Sequence, residues 1–292
     1  MKAQVKVGIL SVAIMALAGV PLAHAATTPP LGMASSFSVL SGTYSNTTPG
    51  TTLNGDLGYT TPPASAATVN GQTHVADATY NQAGIDQGTA LSALNSQPCT
   101  FSFAPGAIDL ASDTTHGAAG SYAPGVYCIS GAADIGGGGT ITLTGAGTYI
   151  FRMTGALNSS ANSVVAVAGG ASACNVWWTP GAATTLGANS TFGGTVIDAS
   201  GITIGNAIIW SGRALAFGGT VSTDQDTINT TACNPAASAT ATSSVTSALT
   251  KTPGLPNTGE SPLQQSHMVK NIAIFSALSA TPLLVRAVRK RA

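Results

Sequence analysis

Residues 184–223 read TTLGANSTFGGTVIDASG (184–201), ITIGNAIIWSGRALAFGG (202–219) and TVST (220–223), one pattern begun three times. Phe192-Gly193-Gly194-Thr195-Val196-Ile197-Asp198 recurs eighteen residues later as Trp210-Ser211-Gly212-Arg213-Ala214-Leu215-Ala216. Thr184-Thr185-Leu186 recurs after eighteen as Ile202-Thr203-Ile204, and after nineteen more as Val221-Ser222-Thr223. A short fixed period marks a solenoid, whose units bury their apolar faces only by stacking on one another. The runs are β-branched, alternate with period two and break at Gly or Asn-Ala, so the solenoid is a β-helix. Alternation also assigns directions. If Ile202 and Ile204 fill the coil, Thr203 faces out, and so do Thr185 one coil before and Ser222 one coil after. The expected result is a file of hydroxyls on rungs ~4.7–4.9 Å apart. Such a file either meets something periodic or is a solvated sheet face, where threonine is common for its strand propensity.

The chain has 292 residues, of which 7% are charged and 5% aromatic, with 35 glycines. That leaves room for one large domain with appendages. Small residues with few charges suit tight β-coils better than charged-faced helices. The formal net charge of zero hides an uneven distribution. Lys2 and Lys6 sit at the start, and Lys270, Arg286, Arg289, Lys290 and Arg291 sit in the tail. Between residues 26 and 259, three cations (Arg152, Arg213, Lys251) face nine aspartates, a net charge near −6. A nucleic-acid partner, which needs cationic patches, is therefore not expected.

Residues 1–25 have the form of a secretory signal: a basic start, an apolar core and Ala23-His24-Ala25 before the expected mature start at Ala26. Residues 26–234 form the expected folded domain. Phe37, Val39 and Thr51-Thr52-Leu53 look like strand residues, with turn chemistry at residues 46–50 and Asn54-Gly55-Asp56. Residues 74–95 form the one convincing helix, with an apolar stripe of Ala76, Tyr80, Ala83, Ala90, Leu91 and Leu94. Gly84 and Gly88 weaken it, so it needs a larger body to pack on. His74 and Asp77 lie near its start, where an Asp suits the helix dipole. They lack a third ligand at metal-site spacing. Further strands are expected at residues 126–129, 140–144, 149–153, 164–167 and 175–178, with Ile141 and Leu143 inward and Thr142 outward. At least one of Trp177 and Trp178 should anchor the core.

Cys99, Cys128, Cys174 and Cys233 all fall in the exported part, in even number. Three pairings are open. Sequence proximity favours Cys99–Cys128 with Cys174–Cys233, and free buried thiols are the alternative. Residues 235–254 are an Ala/Ser/Thr-rich spacer without core-forming content. Leu255-Pro256-Asn257-Thr258-Gly259, an apolar run (271–285) and a basic end then resemble the LPxTG-type cell-wall sorting signal of Gram-positive surface proteins. That resemblance implies a sortase that cleaves between Thr258 and Gly259 and joins Thr258 to the cell envelope. The only membrane contacts expected are through the leader and this tail. The apolar run would reach ~22 Å as a helix, short of a ~30 Å hydrocarbon core.

As a whole the folded region resembles the ice-binding proteins built on a discontinuous right-handed β-helix with one long α-helix alongside. The residues that carry the likeness are FSVLSGTYSN and TLNGDLG (37–58), HVADATY (74–80), APGVY (123–127), GTYIFRM (147–153), ACNVWW (173–178), TLGANSTFGGTVI (185–197) and GRALAFGGTVSTDQDTI (212–228). The resemblance implies a mainly β fold and adsorption to ice, in which a rigid face orders water, docks on a crystal plane and stops growth there. The Thr-(Ala/Gly)-x-(Thr/Asn) step of some relatives occurs here only at Thr231-Ala232-Cys233-Asn234, so alternation must choose the face. The candidates are Thr142, Thr185, Thr203 and Ser222, with Thr52. A monomer is expected, with no cofactor, metal or catalytic residue. The competing reading is a surface adhesin or structural module without ice activity. An enzyme is the poorest reading. Asp198, Asp224 and Asp226 could supply the paired carboxylates of a glycosidase but sit at turns, and no nucleophile or phosphate-loop motif accompanies them.

Overall fold

A computed structural model describes residues 25–230 and Cys233. The leader up to residue 24, the spacer 235–254 and the sorting segment, including Leu255, Pro256, Asn257, Thr258 and Gly259, lie outside the described residues.

The described chain is a parallel β-helix of three sheet faces with one α-helix, α1 (Ala78–Asn95), along one of them. The repeat seen in the sequence is the coil itself. Thr185 pairs with Thr203, Phe192 with Trp210 and Ile197 with Leu215, each eighteen residues apart. Thr203 pairs with Ser222, nineteen apart. The extra residue is taken up at the 217–219 corner, where Gly218 has φ +84°, a conformation that suits glycine.

The stack does not follow chain order. The strand Phe37–Asn46 lies between Asp56–Tyr59 on one side and Ile209–Thr223 on the other. Thr52–Asn54 pairs with Thr227–Asn229. The N-terminal coils thus extend the C-terminal end of the solenoid. The chain leaves that end after Thr73–Val75 and resumes at the opposite end with Phe101–Ser102. Nine strands line the face between these ends, and eight rung steps span ~38 Å. Eighteen helical residues cover ~27 Å of that distance, and residues 96–100 cover the rest. The helix is the return path that makes the β-helix discontinuous.

Residues alternate between the coil interior and the helix. Phe101, Tyr127, Phe151, Trp178, Val196, Ala214, Val39 and Leu57 occupy one inward column by register. Phe151 stacks on Trp178 with ring centroids 4.3 Å apart and on Tyr127 at 5.2 Å. The neighbouring residues Val126, Ile150, Trp177, Ile197, Leu215 and Leu40 point the other way and pack with Tyr80, Ala83, Ala90 and Leu94 of α1. Both Trp177 and Trp178 are buried, one under the helix and one inside the coil.

The helix begins at Ala78, four residues later than the expected span of 74–95. His74 is on the strand Thr73–Val75, and Ala76 is an exposed residue with φ 48°. Asp77 is the N-cap and accepts a hydrogen bond from the Tyr80 N–H at 2.8 Å, satisfying one orphan donor of the first turn. Gly84 is a packing residue, because a Cβ there would lie 2.4 Å from the Phe217 ring. At the other end Arg152 donates to the carbonyls of Asn95 and Gln97, offsetting the negative end of the helix dipole.

Candidate functional site

With one face under α1, two faces remain for a large flat partner. The first runs through the short strands Ala133–Ile135, Leu157–Ser159, Thr184–Leu186 and Ile202–Ile204, then the ends of Ile209–Thr223 and Phe37–Asn46. Its outward file is Asp109, Asp134, Asn158, Thr185, Thr203, Ser222 and Ser45, each paired in register with the next. Leu186, Ile202, Ile204 and Val221 fill the interior beneath it. Thr185 and Thr203 are exposed, and Ser222 and Ser45 half-buried. A second file starts beside this one, where Thr43 pairs with Thr220 and bridges to Thr61. Seven small hydroxyl residues therefore form one uncharged field. Its spacing is ~4.8 Å between rungs and ~6.7 Å along a strand.

Past Thr185 the character changes. Asn158 donates to Asp134 at 2.9 Å. Asp109 accepts from the N–H groups of Ala111 and Gly136 and from the Ser112 hydroxyl. These carboxylates are engaged within the protein.

The second exposed face has the outward file Thr140, Val164, Thr191, Ile209, Thr227, Thr52 and Thr68, β-branched on every rung. Beside it Asn70 donates to Asn54 at 2.6 Å, and Asn54 in turn donates to Asn229, forming an asparagine ladder. This face is not flat throughout. The 168–175 segment stands against Val164, Thr191 and Phe192 and encloses a groove of about 440 Å³.

The five threonine and serine candidates thus divide. Thr185, Thr203 and Ser222 lie on consecutive rungs of the first face. Thr52 and Thr142 lie on the second, in different files: Thr52 between Thr227 and Thr68, and Thr142 between Ser121 and Ala166. Alternation separates inward from outward but does not say which of three faces a strand joins. Ser45, Thr43, Thr220 and Thr61 were missed for that reason. Thr43 and Ser45 lie in the Ser/Thr-rich run SGTYSN (41–46), which pairs with residues 220–223 from the far end of the folded domain, and Thr220 stands two residues before Ser222 in the repeat.

The turns behind the first face hold it in place. Asp198 is buried at a corner and accepts from the Thr184 hydroxyl at 2.7 Å and the Ser200 N–H at 2.8 Å. Asp226 is buried and accepts from the N–H groups of Ile208 and Asp224 at 2.8 Å each. Burial raises both carboxyls, that of Asp226 to about 6, against the hydrogen bonds that hold it down. Each staples one coil to the next, and neither joins the other in a cleft. Disulfides link Cys99 to Cys128 and Cys174 to Cys233, the first at the end of α1 and the second closing the last described coil.

Residues 39–229 match the Ice-binding-like family. The chain belongs to that family. An ice-binding protein of Nostoc sp. (strain HG1) is 31% identical over 217 residues, 71% of this chain and 76% of the relative. The crystal structure of an ice-binding protein from the Antarctic ascomycete Antarctomyces psychrotrophicus superposes with a TM-score of 0.61 at 28% identity, covering 70% of this chain and 98% of that one. That of an ice-binding protein from an Antarctic biological consortium gives 0.61 at 26% identity, over 72% and 95%. The ice-binding-like fold accounts for the discontinuous stack and the flanking helix together.

Proposed function

We propose that this protein adsorbs to ice and slows its growth or recrystallisation. The contact surface is the uncharged hydroxyl field of Thr185, Thr203, Ser222, Ser45, Thr43, Thr220 and Thr61. One observation carries this choice: outward hydroxyl residues on four successive rungs, set on a column of buried aliphatics that fixes their positions. A threonine offers a methyl and a hydroxyl at a fixed spacing. The methyl leaves adjacent water to bond laterally, and the hydroxyl ties that layer to the protein. A charge would hold water in another arrangement, so the carboxylates at Asp134 and Asp109 bound the field. Family membership and the relatives described as ice-binding proteins support the reading.

The adsorbing domain is exported and displayed on the cell surface. The expected leader, the spacer and Leu255-Pro256-Asn257-Thr258-Gly259 support transfer by a sortase to the envelope.

The test of the face is a pair of bulky substitutions. Thr203→Tyr should abolish most inhibition of ice recrystallisation, and Thr191→Tyr on the other exposed face should leave it intact. The reverse pattern would transfer the function to the second face. A folded wild-type protein without inhibition would instead favour the adhesin reading.

A further inference from the structure

The Cys99–Cys128 disulfide has a cation against both sulfurs. Arg152 Nη2 lies 3.3 Å from Cys99 Sγ and 3.2 Å from Cys128 Sγ. The same guanidinium is held by the carbonyls at the end of α1, so it is fixed in place. The two sulfurs differ in setting. Cys99 is exposed, whereas Cys128 is half-buried and packed against the cluster under the helix. Both line an open cavity of about 710 Å³, together with Arg152, Asn95, Ser102 and Ser130. A disulfide meant only as a staple needs neither the cavity nor a guanidinium on its sulfurs.

We propose that Cys99–Cys128 is a thiol-exchange site that takes a low-molecular-weight thiol through the cavity and carries it as a mixed disulfide on Cys99. The thiol first loses its proton to water. Its thiolate attacks the exposed Cys99 Sγ in line with the S–S bond. A new S–S bond forms to Cys99, the old bond breaks, and its electron pair leaves on Cys128 Sγ, where Arg152 stabilises the charge. A second thiolate attacking the mixed disulfide releases Cys99 and yields the disulfide of the two small thiols, completing a two-electron reduction. A cation beside the departing sulfur makes it a better leaving group. Arg152 acts as a positioned charge for this step. Opening the bond unfastens the end of α1 from the strand Gly125–Ile129 while the apolar contacts of Tyr80, Ala83, Ala90 and Leu94 hold the helix on the sheet.

The experiment treats the full oxidised chain with excess 2-mercaptoethanol, quenches aliquots with an alkylating reagent and maps the peptides. The Cys174–Cys233 disulfide serves as the internal reference. The expected result is a mixed disulfide on Cys99 with alkylated Cys128, formed about tenfold faster than Cys174–Cys233 is lost. Arg152→Met should remove most of that advantage, and Arg152→Lys, which keeps a charge, should retain part of it. Circular dichroism checks that each variant is folded, and if Arg152→Met fails to fold the lysine variant decides. Equal opening of the two disulfides, a mixed disulfide on Cys128, or no rate change in a folded Arg152 variant would overturn the proposal.

Discussion

The two glycines of α1 look alike in the sequence, both breaking a weak apolar stripe, yet the structure assigns them opposite consequences. Gly88 is exposed, and a Cβ there would meet nothing within 4 Å. Gly88→Ala should therefore gain the ordinary helix-propensity difference, about 0.5–1 kcal/mol. Gly84 is buried, and its Cβ would lie 2.4–2.5 Å from three ring atoms of Phe217. Normal carbon contact is ~3.5–4 Å, so helix and ring must part by more than an ångström. The ring is in contact with Tyr80, at 4.9 Å between centroids, so its displacement disturbs the helix a second time. Overpacking of this kind costs about 1–3 kcal/mol, enough to outweigh the propensity gain. Gly84→Ala should melt below the wild type and Gly88→Ala above it, the pair differing by roughly 1–3 kcal/mol, or ~2–12 °C for a domain of this size. Thermal melting followed by circular dichroism, disulfides intact, reads both. If Gly84→Ala proved as stable as Gly88→Ala, the close docking of α1 at Phe217 would be wrong.

Phe151→Ala removes the ring between Tyr127 and Trp178 from a fully buried column and should cost about 3–5 kcal/mol in urea unfolding; a loss below about 1 kcal/mol would contradict the continuous aromatic core. Asp226, raised to about 6 by burial, favours folding when protonated, so its contribution is complete below the unfolded carboxyl value and is lost as pH rises through 6. Asp198 acts in the same direction. The protein should accordingly be more stable near about pH 4.5 than near about pH 8, by roughly 2 kcal/mol from Asp226 alone. Asp226→Asn should flatten the melting-temperature profile, and an unchanged profile would remove Asp226 as its source. Asp77 and Asp113, whose hydrogen bonds lower them, oppose this trend only in more acidic solution.

The coil was legible because its repeat is local. Eighteen residues separate Phe192 from Trp210 and Thr185 from Thr203, and period-two alternation puts Ile202 and Ile204 inside. The step to Ser222 was legible as well, and the structure adds its cause, the extra residue at the Gly218 corner. What the sequence could not convey was pairing between distant segments. Nothing near Leu53 says that it stacks on Ile228, and nothing near Val39 says that it lies between Leu57 and Ala214. Those pairings are set when the helix carries the chain to the far end, leaving the first coils to cover the last. The field of hydroxyls suffered most. Four of its members, Thr185, Thr203, Thr220 and Ser222, lie in the repeat stretch, but Ser45, Thr43 and Thr61 arrive from the other end of the folded domain. Thr52 and Thr142 face outward as alternation requires, on a different face.

The central claim is that the β-helix domain adsorbs to ice, and ice-affinity partition tests it without any variant. An ice hemisphere is grown slowly on a cooled probe in a dilute solution of the disulfide-intact protein, with an unrelated globular protein as a freely excluded solute. Adsorption predicts that this protein is taken into the ice and recovered there enriched over the reference. Exclusion into the liquid to the same extent as the reference, from a folded sample, would contradict the account.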